Sequence, residues 1–109
     1  MISEQEFYEF VYDAYKYMRN NGKPVIMSTR KEKGNSMYYT IQSNDEVGLM
    51  FIGSHYRDAG PGPNMRQIPI IKIAPVDLQN NTAFSAQVHE YHPESLDDLY
   101  NQINNDKSF

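Results

Sequence analysis

The hydrophobic pattern of this 109-residue chain changes its period at Pro24, from the 3.6 residues of a helix to the 2 residues of a strand. The alternating pattern persists to about residue 91 and is followed by a second stretch of helical period. The apolar stripe of that stretch is formed by Leu96, Leu99, Tyr100 and Ile103. This order predicts an α+β domain in which an N-terminal and a C-terminal helix cover one face of a mainly antiparallel sheet.

The first helix is predicted to span about residues 4 to 20, because residues that favour helix ends stand on both sides of it. Ser3 and Glu6 have the spacing of a capping box, in which each side chain accepts a hydrogen bond from the other residue's backbone N–H. At the other end, Gly22 suits the left-handed conformation that closes many helices, and Pro24 follows it.

The apolar and aromatic arc of this helix is about 220° wide, which is more than one sheet normally covers. The predicted core face comprises Phe7, Phe10, Val11, Ala14, Tyr17 and Met18. Beside it stand Tyr8, Tyr12 and Tyr15, for which two interpretations compete. The rings either lie flat at the core margin with hydrated hydroxyls, or they form a surface for a partner protein or a second copy of the chain.

Five strands are predicted from the alternating segments. The first three form an antiparallel meander, a long loop follows them, and two further strands complete the sheet. Pro69, near the start of the fourth strand, places that strand at an edge or makes it locally irregular. The second helix is predicted to open at His92 and Pro93, and residues 105–109 are expected to fray from a single domain of residues 1–104. The predicted strands are residues 25–29, 37–42, 47–52, 68–74 and 82–91.

The loop of residues 53–67 is the first candidate for a ligand site, since structureless segments of this length are uncommon in small domains and are often functional. Its cations, imidazole and glycines suit a small anionic or nucleotide-type ligand, bound with or without catalysis. The competing interpretation is a connector in which Arg57 pairs with Asp58 or another neighbour. The candidate ligand-binding residues are His55, Tyr56, Arg57, Asp58, Asn64 and Arg66.

A basic hairpin tip, made of Arg30, Lys31 and Lys33, lies close in sequence to Tyr38 and could hold a phosphate backbone beside a stacked base. Against this, Glu32 interrupts the basic run, and hairpin tips are commonly charged because they are hydrated. The formal charge of the chain is −4, and all of the excess acid lies in residues 67–109. We therefore expect general nucleic-acid binding to be absent, while leaving local contact open.

Several chemistries are excluded or disfavoured. The chain has no Cys, so it has no disulfide, thiolate nucleophile or cysteine metal site. His89 is expected on the solvent face of the last strand and His92 near the start of the second helix; positions three apart on a strand point to opposite faces, and the helical zinc motif needs a spacing of four, so no metal is expected. No nucleophile motif occurs, and we assign no catalytic residue and no cofactor.

The chain lacks the basic and apolar start of a secretory signal, and a cytoplasmic location without membrane insertion is expected.

Three functions remain, in decreasing order of preference. The first is a non-enzymatic binding module that acts through protein contacts and self-associates through the Tyr8, Tyr12 and Tyr15 edge or an open sheet edge. The second is the anion site of the loop at residues 53–67, and the third is nucleic-acid contact at the hairpin tip. The abundance of Asn, Tyr, Ile and Met is typical of an AT-rich microbial or viral genome and says nothing about function.

Overall fold

The elements follow the predicted order of helix, sheet and helix. The computed structural model describes all residues except 23, 29, 45, 56–65, 81, 84–86 and 107–109, and of residues 82–83 it describes the backbone alone. The elements are β1 (Ile2–Ser3), α1 (Glu4–Asn20), β2 (Ile26–Met27), β3 (Lys31–Lys33), β4 (Ser36–Gln42), β5 (Val47–Ser54), β6 (Gln67–Ile68), β7 (Ile70–Asp77), β8 (Thr82–Ala83), β9 (His89–Tyr91) and α2 (Leu96–Asn105). The α+β class is thereby confirmed.

The main sheet is five strands wide, and every pairing in it is antiparallel. Both edges are broken in two, since β2 and β3 pair with β4 while β8 and β9 pair with β7. The described residues therefore contain more strands than the five predicted. Across the first break, Ser28 donates its N–H to the Thr40 carbonyl (2.8 Å), and Ser28 Oγ accepts from the Thr40 N–H (3.0 Å). These bonds keep the edge attached to β4.

A separate two-stranded ladder of β1 and β6 brings the chain back from the long loop to the start of α1. Ile2 lies opposite Ile68, and both are fully buried. The Glu4 N–H extends this ladder by donating to the Arg66 carbonyl (3.2 Å). The break at Pro69 between β6 and β7 is the irregularity predicted there, because proline cannot donate to a ladder.

The helix ends follow local sequence signals, with one correction. The capping box is confirmed: the Glu6 N–H donates to Ser3 Oγ (3.1 Å) and the Ser3 N–H donates to Glu6 Oε1 (3.0 Å). Gly22 has a φ of 81°, as expected for a residue that ends a helix. The start of α2 was predicted too early. Ser95 is its cap, accepting from the Asp98 N–H (3.0 Å), so Pro93 precedes the helix.

The core lies between the helices and one face of the sheet, which we call the helix face. Phe7, Phe10 and Val11 of α1 and Leu99 of α2 pack there against alternate residues of the strands, including Met37, Tyr39, Ile41, Phe51, Ile71 and Ile73. The opposite face carries a row, in register, of Lys31, Tyr38, Ile52, Lys72 and Glu90. None of the helices in the described part of the chain is both long and apolar enough to cross a membrane.

Two predicted orientations are wrong. Tyr17, assigned to the core face of α1, is 72% exposed. On the last predicted strand, alternation would place Val88 inside and Tyr91 outside, but Val88 is exposed, whereas Tyr91 is buried and its hydroxyl donates to Asp106 Oδ2 (2.9 Å). His89 shares the helix face with Tyr91, because the two residues are two apart on a strand, and it is not on the solvent face as predicted.

Candidate functional site

A continuous row of tyrosine rings runs along the side of α1. The rings of Tyr8 and Tyr12 are stacked, with centroids 6.0 Å apart and planes 13° apart, and the Tyr12 and Tyr15 centroids are also 6.0 Å apart. Tyr8 continues the row into the sheet, at 5.8 Å from the ring of Tyr39. We call Tyr8, Tyr12 and Tyr15 the tyrosine ladder. Tyr8 and Tyr12 are 37% and 41% exposed, while Tyr15 packs partly against the core.

Charged side chains lie near both ends of the tyrosine ladder. Lys16 lies near its C-terminal end, with Nζ 5.2 Å from the centroid of the Tyr12 ring and 3.4 Å from Asp13 Oδ1. Glu9 lies near its N-terminal end, and helical geometry places it within about 60° of Tyr12 around the axis. The stacked rings are therefore bordered by Glu9 near one end and by the paired Lys16 and Asp13 near the other.

A second group of side chains forms a charged cluster of Glu4, Arg30, Glu32 and Arg66. Arg30 pairs with Glu4 and lies 3.5 Å from Glu32, which also pairs with Arg66. The Glu4 side chain is only 6% exposed, so its charge depends on Arg30 for compensation. Among the described residues, no donor reaches Glu4 Oε2. The cluster has two charges of each sign, and two cations proposed as ligand contacts, Arg30 and Arg66, are already engaged in it.

The residues predicted to form a basic hairpin tip lie elsewhere: Lys31–Lys33 form the edge strand β3, the turn is at residues 34–35, and the side chains of β3 are divided between the two faces of the sheet. Glu32 lies opposite Met37 on the helix face, where it meets Arg30 in the charged cluster. Lys31 lies opposite Tyr38 on the other face, and Lys33 lies opposite Ser36 on that same face. Both lysines are exposed, and within the described ranges neither forms an ion pair. The ion pairs of Arg30 with Glu4 and Glu32 thus place its guanidinium on the helix face, away from the two lysines with which it was grouped.

The two described ends of the long loop are both attached to the fold. The His55 N–H donates to the Asn35 carbonyl (2.8 Å), and the His55 side chain is buried. Arg66 returns the chain to the start of α1, where it joins the charged cluster. The other candidate ligand residues, Tyr56, Arg57, Asp58 and Asn64, lie outside the described residues. The anion site therefore stays a prediction.

The carboxylate of Asp106 connects the end of α2 with β9. Its Oδ2 lies 3.0 Å from His89 Nδ1 and accepts from the Tyr91 hydroxyl. Burial, reinforced by this hydrogen bond and by the charge of Asp106, raises the pKa of Tyr91 far above its usual value. In the described part of the chain, no group of three or more His, Cys, Asp or Glu side chains is placed to hold a metal ion.

An apolar groove opens between α1, α2 and the sheet, and it was not among the sites predicted from the sequence. Its volume is about 420 Å³, and its walls include Phe10, Ala14, Met18, Leu49, Phe51 and Ile103. Polar groups occur only at its rim, where the Tyr100 hydroxyl donates to Asp13 Oδ2 (3.1 Å). The one available signal was Ala14, a small side chain among bulky ones on the predicted core face of α1.

Comparison with known proteins adds no functional information. No protein-family model matches the chain, and no curated protein or solved structure matches it significantly.

Proposed function

We propose that this protein is a small binding module that acts through protein contacts, with the tyrosine ladder as its binding surface and a second copy of the chain as its partner. The observation behind the proposal is the stacked, partly exposed row formed by Tyr8 and Tyr12. Tyrosine contributes a large and rigid contact area at low entropic cost, and it is enriched at the centres of protein interfaces.

The charge order along α1 favours a second copy over an unrelated partner. In an antiparallel pair of α1 helices related by a two-fold axis, Tyr12 lies near the axis. Glu9 of one copy then approaches Lys16 of the other, and the same contact repeats on the opposite side of the axis. A two-fold interface requires this kind of self-complementarity.

The open sheet edge is the less suitable of the two surfaces considered. Its β3 portion consists of Lys31, Glu32 and Lys33, all exposed, and lysine on an edge strand disfavours pairing with another chain. Its β2 portion has only two residues, Ile26 and Met27. We therefore assign the interface to the tyrosine ladder alone.

The expected association is weak. An α-helix of 17 residues is about 25 Å long, and one face of it offers less than the roughly 800 Å² per partner that stable interfaces bury. A dissociation constant in the micromolar range, on the order of 10 µM, is consistent with that area.

Sedimentation equilibrium over a concentration series tests the proposal. We expect a dimer at high concentration, and we expect Tyr12→Ser to weaken it by about tenfold or more. Tyr17→Ser is the matched control, because Tyr17 lies on the same helix and is exposed but stands outside the tyrosine ladder. A wild-type chain that stays monomeric at millimolar concentration, or equal effects of the two substitutions, would rule out this interface.

A charge exchange tests the geometry of the pair. Glu9→Lys and Lys16→Glu are each expected to weaken the dimer, since each places like charges against one another across the axis. The double variant restores opposite charges and is expected to recover most of the affinity. If the double variant is as weak as the sum of the single changes, then the helices are not antiparallel in the way proposed.

A second candidate function rests on the two lysines of β3, which lie on the face of the sheet opposite to the helices. Lys31 and Lys33 are two apart on one strand, about 6.8 Å along it, and Lys31 lies directly beside Tyr38. This arrangement suits a short single-stranded nucleic acid, whose phosphates pair with lysines while a base stacks on the ring. Fluorescence anisotropy with a labelled oligonucleotide is expected to give a salt-dependent affinity that Lys31→Ser reduces. Absence of salt-sensitive binding removes this candidate.

A further inference from the structure

The apolar groove has the dimensions of a ligand site rather than of a packing defect. Its volume of about 420 Å³ falls within the range of small-molecule pockets, roughly 300–1,000 Å³. It is bounded by three different elements: Ala14 and Met18 of α1, Ile103 of α2, and Phe51 of the sheet. Such a site between helices and a sheet gains free energy by exchanging water for an apolar occupant.

The rim of the groove defines the polar end of its occupant. Tyr100 donates its only hydroxyl proton to Asp13, so these two side chains can offer a ligand only hydrogen-bond acceptors, and Lys16 is the donor already paired with Asp13. Burial, together with the hydrogen bond to Asp13 and the charges of Asp13 and Glu9, raises the pKa of Tyr100 to about 12. The hydroxyl therefore stays protonated at neutral pH. A group that binds here must donate hydrogen bonds, and a positive charge suits the carboxylates beside it.

We propose that the groove binds a small amphipathic amine, with its apolar body between α1 and α2 and its ammonium group at Asp13 and Tyr100. Lys16, 3.4 Å from Asp13, is the internal cation that the ligand displaces or joins. Both of these side chains are about half exposed, so moving Lys16 costs little. None of the residues that line the groove belongs to the tyrosine ladder, although Lys16 takes part in both proposals.

Octylammonium and octanoate, each below its micelle concentration, and octanol, below its solubility limit, are matched probes that share one apolar body and differ in the head group. We expect octylammonium to raise Tm by about 4 °C or more, octanol to raise it less, and octanoate to raise it least. Asp13→Asn is expected to reduce the preference for octylammonium over octanol by about tenfold. No shift with any probe, or a larger shift with octanoate, overturns the proposal.

Filling the groove provides the control for location. Ala14→Leu is expected to abolish the octylammonium shift while the circular dichroism spectrum remains that of the wild type. Ile103→Phe fills the same space from α2 and serves if Ala14→Leu does not fold. Gln5→Leu adds a comparable apolar side chain at an exposed site on α1 away from the groove, and it should leave the shift unchanged. If both filling variants keep the full shift, or if they change only the oligomeric state, then the groove is not a ligand site.

Discussion

The two ends of α1 differ in how completely the neighbouring residues fill the space around them and pair their polar groups. At the N-terminal end, the capping box of Ser3 and Glu6, the β1–β6 ladder and the charged cluster leave little space and few unpaired groups among the described residues. At the C-terminal end, α1 borders an apolar groove, and Tyr17 is exposed. We call the N-terminal end of α1 the closed end and the C-terminal end the open end. The difference indicates that the cations at the closed end stabilise the fold. The surfaces proposed for binding lie along the middle and the open end of the helix.

The largest expected effect comes from breaking the closed end. Arg30→Met leaves the buried Glu4 carboxylate without its partner, and we expect the free energy of unfolding to fall by about 3 kcal/mol. Urea denaturation monitored by circular dichroism measures it. Lys31→Met is the control: that lysine is adjacent and exposed but points to the other face, so its loss should cost less than about 0.5 kcal/mol. Equal effects at the two positions would mean that Arg30 is a surface charge.

The sequence predicted what depends on neighbouring residues and missed what depends on distant ones. The cap at Ser3 and the alternation of Met37, Tyr39 and Ile41 were predicted correctly, because each is determined within a few residues. The pairing of Arg30 with Glu4 depends on how an edge strand lies beside α1, and no local pattern encodes it. The inversion at Tyr91 has a similar origin, since the last predicted strand is interrupted and alternation does not carry across a break.

The candidate sites divide in the same way. Tyr8, Tyr12 and Tyr15 could be grouped from helical spacing alone, and the structure brings their rings together. Arg30 and Lys31 are adjacent in sequence and were grouped as one basic patch, although Arg30 pairs with Glu4 and Glu32 on the helix face while Lys31 lies beside Tyr38 on the other face. The groove could not be found from sequence because its volume depends on the spacing between two helices that are far apart in the chain.

A second change tests how tightly the closed end is packed. A methyl group added to Gly53 would lie 2.8 Å from Cε2 of Phe7, whose ring is fully buried and has nowhere to move. We expect Gly53→Ala to lower the free energy of unfolding by about 2 kcal/mol, because overpacking forces the ring or the strand to shift. Thermal and urea unfolding measure the change. An unaltered free energy of unfolding would show that this end of the core has free space for the added methyl group.

Alkaline pH is expected to have a smaller effect, through Tyr100 in the middle of α2 and Tyr91, which is bonded to Asp106 just past the end of α2. The pKa of Tyr91 and that of Tyr100 are raised in the folded protein, so both hydroxyls keep their protons at a pH where the unfolded chain has lost them. Their contribution to stability is therefore complete below about pH 10 and declines as the pH rises further, by at most about 1.4 kcal/mol per pH unit for each group. Unfolding measured between pH 9 and 11 should show a shallower decline in Tyr91→Phe. An identical pH profile in that variant would contradict the assignment.

The smallest expected change in stability, at Ala14, is also the most direct contrast with Gly53. Ala14→Leu adds three carbons where the groove has space, and leucine is nearly as good a helix former as alanine. We expect the free energy of unfolding to stay within about 0.5 kcal/mol of the wild type or to rise, because the added side chain gains contacts without displacing others. One methyl group at the closed end would then cost more than three carbons at the open end. If Ala14→Leu is as damaging as Gly53→Ala, the walls of the groove close on one another in solution, and the two ends of α1 are packed alike.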